Sequence, residues 1–232
     1  MDILGGLIQN ASLLLALVLA YSLFIARLPS DKRSTQLLIG LLFGVAALLG
    51  MMIPVTLKPG VIFDGRTAVV SMAGLFGGLP AAFLSGAIAA AYRAWLGGAG
   101  VGMGIATICT ASALGALFYA LRRAGIIPVS PWTLALFGLL VHLSALAWVV
   151  ILPEALRAQI LAQVAIPYLT VLPAASLPVG LLLLGQKQRI DNEYALRREH
   201  DRMRMLLETV DAIILALDAD GRITLINRKG CQ

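Results

Sequence analysis

Charge is scarce in this chain. Only 13% of its 232 residues are charged, against about 25% in an ordinary soluble domain. Residues 1–186 hold nine basic and four acidic side chains, and 59% of the whole chain is hydrophobic. This composition is typical of an integral membrane protein. The net charge of +6 is spread over loops and tail without a dense basic block, so the sequence does not indicate nucleic-acid binding.

Cysteine and histidine are also scarce. Cys109 lies in an apolar segment and Cys231 at the C-terminal end, so no disulfide framework is implied. No second His, Cys or carboxylate is spaced to join His142 in a metal site. We expect His142 to be packed and hydrogen-bonded and His200 to lie on a solvated helix face. The sequence predicts no metal, no cofactor and no catalytic residue in this chain.

Long apolar runs dominate the first 186 residues. A bilayer core of roughly 30 Å requires about 20 apolar residues in a helix. Five segments meet this requirement: residues 3–26, 36–57, 105–121, 132–152 and 160–184. No basic stretch precedes the first of them, so we predict that it is a membrane anchor and not a cleaved signal peptide.

A sixth apolar segment, residues 67–96, is interrupted at residues 77–80 by Gly-Gly-Leu-Pro. It either crosses the membrane once or enters and returns as a re-entrant hairpin. The hairpin places the basic residues at 27–33 and 122–123 on the same inner side as the charged tail, in agreement with the positive-inside tendency. We therefore predict an all-α integral membrane fold, with five full transmembrane helices plus a broken or re-entrant helical hairpin.

Two arginines border the interrupted segment. Asp64 and Arg66 precede it, and Arg93 lies near its end. Charge at membrane depth is costly, so it is usually paired or functional. On the hairpin topology both arginines face one compartment, where their planar forks could bind a small anion. The alternative is an interfacial ion pair at Arg66 and an aromatic-belt anchor at Arg93.

A glycine-dense stretch follows the second arginine. Its glycines would let backbone N–H groups approach an anion, and a helix that begins near Gly104 would add its positive dipole end. The stronger alternative is tight helix packing through the small-residue pairs Gly98/Gly102 and Gly100/Gly104. Both roles can coexist. The candidate ligand-binding residues are Asp64, Arg66, Tyr92, Arg93, Gly97, Gly98, Gly100 and Thr107.

The composition changes after Gly185. Residues 186–208 are rich in Arg, Glu, Gln and Leu, with apolar residues every three or four positions near the end. This pattern predicts a helix that continues out of the last span and pairs two protomers. The apolar positions of that seam are Met203, Leu206, Leu207 and Val210.

A β-hairpin is predicted after this helix. Residues 213–217 and 222–227 are two short apolar runs on either side of an Asp-Gly turn. An isolated two-stranded hairpin is only marginally stable in water. We therefore expect the sequence to be the front part of a longer protein.

Several motifs occur in order along residues 36–184. They are Pro-Gly-Val-Ile-Phe-Asp-Gly-Arg at 59–66, Gly-Leu-Phe-Gly-Gly at 74–78, Tyr-Arg at 92–93, and Gly-Gly-Ala-Gly at 97–100 before a helix of small residues. In this order and spacing they resemble the five-transmembrane sensor domain of the LytS/YhcK type. Residues 209–230 resemble the opening hairpin of a PAS domain, through residues 217–223 and Asn227.

The resemblance implies a multi-pass receptor in the bacterial inner membrane, with a cytoplasmic C-terminus and an output enzyme downstream. Asp64 stands where the family's kinase branch commonly has Asn, which favours the branch linked to PAS domains and diguanylate cyclases. A LytS-like histidine kinase of a two-component phosphorelay is the alternative output. Some members are associated with small carboxylates such as pyruvate, and Arg66 and Arg93 fall on the family's arginine positions. Asp64 adds a negative charge that could neutralise Arg66 or repel an acidic ligand.

Four parts follow from this interpretation. They are an N-terminal transmembrane helix and loop (1–35), the sensor domain (36–184), a signalling helix or coiled-coil linker (185–210) and the start of a PAS domain (211–232). The expected partners are a small extracytoplasmic carboxylate, a second copy of the chain through the 185–210 helix, and membrane lipid. A transporter or channel gated by the broken hairpin is the remaining alternative.

Overall fold

The computed structural model describes residues 32–58, 61–128, 130–209, 212–227 and 229, with residues 5, 12, 16, 21 and 28. The chain divides into two compact units, Met1–Gln186 and Lys187–Gln232. Most of the predicted first span, residues 3–26, lies outside the described residues. Tyr21 within it is buried, and its ring packs edge-on against Phe43 with the centroids 6.2 Å apart.

Helices dominate the first unit, as predicted. The elements in chain order are α1 (Arg33–Met52), β1 (Val55–Lys58), β2 (Val61–Phe63), α2 (Arg66–Leu96), α3 (Val101–Arg123), α4 (Pro131–Ala147), a 3₁₀ turn (Trp148–Ile151), α5 (Glu154–Gln163) and α6 (Ala165–Thr209). Five described segments are long and apolar enough to cross a membrane: Arg33–Met52, Arg66–Leu96, Val101–Arg123, Pro131–Ile151 and Ala165–Gln186. The all-α membrane fold is thus confirmed.

Helix α2 is broken at Gly78, inside the predicted interruption. Gly78 has φ 72° and ψ −164°, a conformation that only glycine adopts without strain. Pro80 lies two residues later, in the first turn of the second half, where a missing N–H costs nothing. The Gly-then-Pro order therefore ends one helix and starts the next.

The first half of α2 runs in the same direction as α3. Ser71 and Gly74 lie against Gly115, and Gly78 lies against the ring of Tyr119. From Ser71 to Gly78 the contacts therefore move from Gly115 to Tyr119, in the same direction along both helices. The backbones approach so closely that Gly115 has no room for a Cβ beside the Ser71 carbonyl oxygen.

The second half of α2 runs the opposite way along α3. After Gly78 the contacts move back towards the start of α3: Gly86 lies against Ser112, and Arg93 lies against Gly104. The chain therefore reverses at Gly78 and returns to the end from which it came. The broken, re-entrant hairpin is what the structure contains.

The first half of the hairpin occupies the centre of the bundle. Every residue from 63 to 78 is buried, as expected of a helix that is apolar on all sides. The second half has one buried face, formed by small residues such as Ala82, Ser85 and Ala89, whereas Leu79 and Phe83 are exposed at 70% and 74%. Exposed apolar side chains of this size are suited to contact with lipid.

Two predicted span boundaries are wrong. The span predicted over residues 36–57 ends as a helix at Met52, because Pro54 restricts Ile53 and cannot donate to a helical hydrogen bond. The following residues form a small antiparallel hairpin with Val55 opposite Phe63, which the sequence analysis did not predict.

The span predicted over residues 160–184 is also shifted. Ile160 belongs to the short helix α5, which ends at Gln163, and the last span begins at Ala165. Pro167 lies in the first turn of α6, the position at which a helix tolerates proline.

The second unit contains the rest of α6 and a β-hairpin. Helix α6 continues to Thr209, and β3 (Leu215–Leu217) pairs antiparallel with β4 (Ile223–Ile226), as the alternation predicted. Asn227 is buried; its amide nitrogen donates to the Leu207 and Ala212 carbonyls, and its amide oxygen accepts from the Ile214 N–H. This side chain ties the helix end to the hairpin. His200 is exposed, as expected.

We predict that Gly115→Ala destabilises the bundle by about 1–3 kcal/mol, because the added methyl group overlaps the Ser71 carbonyl oxygen. Thermal unfolding of the purified protein in detergent measures the change. Gly102→Ala in the same helix is the matched control, since a Cβ there meets nothing within 4 Å. Equal midpoints for the two variants would contradict the close packing of the hairpin against α3.

Candidate anion site

A buried ion pair lies where β2 meets α2. Asp64 follows β2, and Arg66 is the first residue of α2. The Asp64 carboxylate accepts one hydrogen bond from the Arg66 backbone N–H at 2.9 Å and one from the Arg66 guanidinium at 2.6 Å. The side chains are 0% and 6% exposed, respectively. The carboxylate also benefits from the positive dipole end of α2.

Burial and pairing act on Asp64 in opposite directions. Burial raises the pKa of the Asp64 carboxyl above its ordinary value of 3.8, while the charge and the N–H groups of Arg66 lower it. Arg93 also lowers the pKa of Asp64 through its charge. The net result is a raised pKa, because burial outweighs the charges of the arginines. Both carboxyl oxygens nevertheless accept hydrogen bonds from Arg66, which is the geometry of an ionised carboxylate.

Arg93 joins this pair from the other end of the hairpin. Its side chain is 1% exposed, donates to the Gly97 carbonyl at 2.7 Å and lies on Gly104 of α3. It is within electrostatic reach of Asp64 and Arg66. The reversal at Gly78 thus brings together two arginines that are 27 positions apart in sequence.

The three charges do not cancel. One carboxylate and two guanidiniums give the cluster a net charge of +1. Among the described residues of the first unit, Glu154 is the only other acid, and it is exposed at the start of α5. A net positive charge with so little access to water is an arrangement that an anion would stabilise.

A small cavity adjoins the ion pair. Its volume is about 10 Å³, which is room for about one water molecule. The buried Arg66 Nε has no hydrogen-bond partner among the described residues. The cavity is lined by Ile62, Phe63, Asp64, Arg66, Thr67, Met103, Thr107, Ala145 and Tyr168.

The family model 5TM-5TMR_LYT, described as the 5TMR of 5TMR-LYT, matches residues 19–185. This chain belongs to the 5TMR-LYT family. Its first unit is therefore a five-transmembrane receptor domain of the LytS type, the membrane sensor part of a signalling protein. No curated protein and no solved structure gives a significant match.

The 5TMR-LYT domain brings together some of the sequence-predicted site residues. Asp64, Arg66 and Thr107 line the cavity, and Arg93 interacts with Asp64 and Arg66 through its charge. The Thr107 hydroxyl donates its hydrogen to the Gly104 carbonyl at 2.8 Å, so in this arrangement it can only accept further hydrogen bonds.

The other predicted residues lie outside the cavity lining. Tyr92 stacks on exposed Trp95 with the ring centroids 5.5 Å apart, as an interfacial aromatic anchor does. Gly98 is exposed before α3, and Gly100 is the buried N-cap of that helix. Gly97 contributes its carbonyl oxygen to Arg93, and not an N–H group to an anion.

Gly104 contributes to packing and not to an anion site. The Gly104 N–H donates to the Gly100 carbonyl within α3, so it is not available to an anion. Gly104 instead leaves space for the Arg93 side chain. Packing through Gly102 does not occur among the described residues, because a Cβ there would meet open space.

Tyr168 is the main site residue that the sequence analysis missed. Its hydroxyl lies 3.1 Å from the Thr67 hydroxyl oxygen, and its ring packs edge-on against Phe63 and His142. His142 donates from Nδ1 to the Gly138 carbonyl at 2.7 Å, which confirms it as a packed, hydrogen-bonded histidine. Tyr168 lies 101 positions from Thr67, so no local sequence pattern identifies the contact.

We predict that Asp64→Asn destabilises the empty 5TMR-LYT domain more than Arg66→Gln does. Asp64→Asn leaves two buried guanidiniums and no carboxylate, whereas Arg66→Gln leaves one charge of each sign. Loss of one partner of a buried pair costs about 3–5 kcal/mol. Unfolding in detergent, in an anion-poor buffer, measures both variants. A smaller loss for Asp64→Asn would refute the net positive charge of the cluster.

Proposed function

We propose that the Asp64–Arg66–Arg93 cluster of this membrane sensor binds a small anion, and that the anion is a monocarboxylate. The observation that carries the proposal is a buried cluster whose three charges sum to +1. It lies beside a cavity lined by Arg66, whose buried Nε has no hydrogen-bond partner among the described residues. One monovalent anion makes the cluster neutral. A phosphate dianion would leave it negative.

The shape of the groups favours a carboxylate over a spherical anion. A guanidinium offers parallel N–H donors that match the two oxygens of a carboxylate. Asp64 holds one edge of the Arg66 guanidinium through its NH1 nitrogen, and Nε belongs to the other edge. The Tyr168 hydroxyl, which can act as a donor, supplies a further polar group in the cavity lining.

The distribution of basic residues supports an extracytoplasmic site. Arg122 lies over the ring of Tyr119, which contacts Gly78 at the tip of the hairpin. Arg33, at the start of α1, lies near the same end, because Ile39 contacts Gly77 there. Basic residues favour the cytoplasmic face, so the cluster at the opposite end faces outward. The protein would then sit in the bacterial inner membrane with its C-terminus in the cytoplasm.

The α6 helix supports a relay to a cytoplasmic output. It is one helix from Ala165 to Thr209, and apolar side chains on its distal part are exposed at Leu196, Met203 and Leu206. Leu196 and Met203 are seven residues apart, the spacing of one heptad. Pairing of two copies through residues 185–210 would cover them. The output proposed beyond the PAS-like hairpin is a diguanylate cyclase.

We predict that acetate, lactate or pyruvate raises the thermal midpoint of the purified chain, and that phosphate does not. Stabilisation of about 2.7 kcal/mol is expected at 100 times the Kd. Arg66→Ala and Arg93→Ala should each abolish the shift, because each removes one of the two guanidiniums of the cluster. Differential scanning fluorimetry in detergent measures it.

Arg123→Ala is the matched control, since Arg123 is exposed at the opposite end of α3. It should keep the full shift. Stabilisation by a carboxylate that survives both Arg66→Ala and Arg93→Ala, or no response to any monocarboxylate, would remove the cluster as the binding site.

A further inference from the structure

The first turn of α6 reaches the anion site through Tyr168. Tyr168 is 4% exposed and lines the cavity beside Asp64 and Arg66. Its hydroxyl oxygen lies 3.1 Å from that of Thr67, the residue next to Arg66 in α2. Its ring contacts Phe63, with the centroids 5.7 Å apart. α6 is also the helix that leaves the first unit, so Tyr168 joins the site to the exit helix directly.

The cavity is too small for anything larger than water. Its volume of about 10 Å³ suffices for about one water molecule, whereas even acetate has four non-hydrogen atoms. Packed protein interiors have few voids to absorb such a volume. Any carboxylate that binds between Arg66 and Tyr168 must therefore push one wall of the cavity outward.

The wall formed by α2 and α3 cannot move easily. Ser71 and Gly74 meet Gly115 backbone to backbone, so the two helices are interlocked where they cross. At the site itself, Arg93 fills the space above Gly104. Displacement of either helix would overlap atoms of the other.

The contacts of α6 are looser. A Cβ on Gly138 of α4 would meet Ser176 of α6 at 3.7 Å, and one on Gly180 of α6 would meet Leu134 at 3.4 Å. These are ordinary van der Waals distances between side chains. α6 can therefore shift without a backbone clash, and its wall yields more easily than those of α2 and α3.

We infer that Tyr168 is the positioning residue through which the state of the arginine site reaches α6. In the empty site the hydrogen bond between Tyr168 and Thr67 holds the first turn of α6 against α2. An anion at Arg66 displaces the Tyr168 ring and releases α6. The inference rests on the proposed function for the identity of the occupant, whereas the link between Tyr168 and α6 is a property of the empty protein.

A buried thiol on α6 measures this link. Ser176→Cys places a sulfur of nearly the same size where the native side chain is 2% exposed, facing α4. The native thiols are removed by Cys109→Ser and Cys231→Ser. The rate of alkylation by N-ethylmaleimide, measured on the whole chain in nanodiscs, then reports how often α6 separates from α4.

Tyr168→Phe keeps the ring and removes the hydroxyl group. We predict that it speeds alkylation about two- to tenfold, the effect expected for the loss of one hydrogen bond. Thr67→Val removes the other end of the same bond and should give the same rate. Tyr119→Phe, the same change at the opposite end of the bundle, should leave the rate as in the parent. If Tyr168→Phe and Thr67→Val both leave the alkylation rate equal to that of the parent, the inference is overturned.

A double variant separates a relay from simple loss of stability. Arg66→Gln alters the site and should also speed alkylation of Ser176→Cys. Adding Tyr168→Phe to Arg66→Gln should not raise the alkylation rate further, because both substitutions act through the Tyr168–Thr67 contact. If the two substitutions instead multiply each other's effect on the alkylation rate, the inference is overturned. A carboxylate that stabilises the parent should speed its alkylation and leave Tyr168→Phe unchanged. If no carboxylate binds, the proposed function fails while the Tyr168→Phe effect persists.

Discussion

The reversal of α2 at Gly78 is the constraint on which the rest of this membrane domain depends. A straight helix would place Arg66 and Arg93 about 40 Å apart, at a rise of 1.5 Å per residue. With φ at 72° the chain turns back, and both arginines lie at the same end of the bundle as Asp64. Irregular backbone at membrane depth is tolerated only where protein or water surrounds it. The burial of every residue from 63 to 78 meets that condition.

The charged cluster imposes a second constraint. Two buried guanidiniums and one carboxylate cannot reach neutrality by themselves, and their burial removes most of the help that water would give. The structure holds them through the Asp64–Arg66 pair, the Gly97 carbonyl and the space left at Gly104. Under the proposed function, an anion would complete the charge balance, and the small volume of the cavity would couple its entry to movement of a wall. Charge and volume together therefore make this site suitable for a sensor.

Much of this arrangement could be predicted from sequence, because its causes are local. A Gly-Gly-Leu-Pro interruption has the same backbone consequences in any helix, and arginines at the edges of apolar segments are conspicuous. The hairpin of β1 and β2 was missed because hydrophobicity alone does not separate a short strand from a helix end. The β-branched residues Val55 and Thr56 before Pro59-Gly60 were the available signal. Tyr168 could not be predicted, since its partner lies 101 positions away.

The distance between the two ends of α2 tests the central claim most directly. Spin labels on Ile62→Cys and Ala99→Cys, in a chain without its two native cysteines, flank the helix at a half-buried and an exposed position. Electron–electron double resonance in nanodiscs should give a separation below about 25 Å, because both labels lie near the start of α3. A continuous 31-residue helix is about 45 Å long. A distance above about 40 Å would contradict the reversal, and with it the shared site.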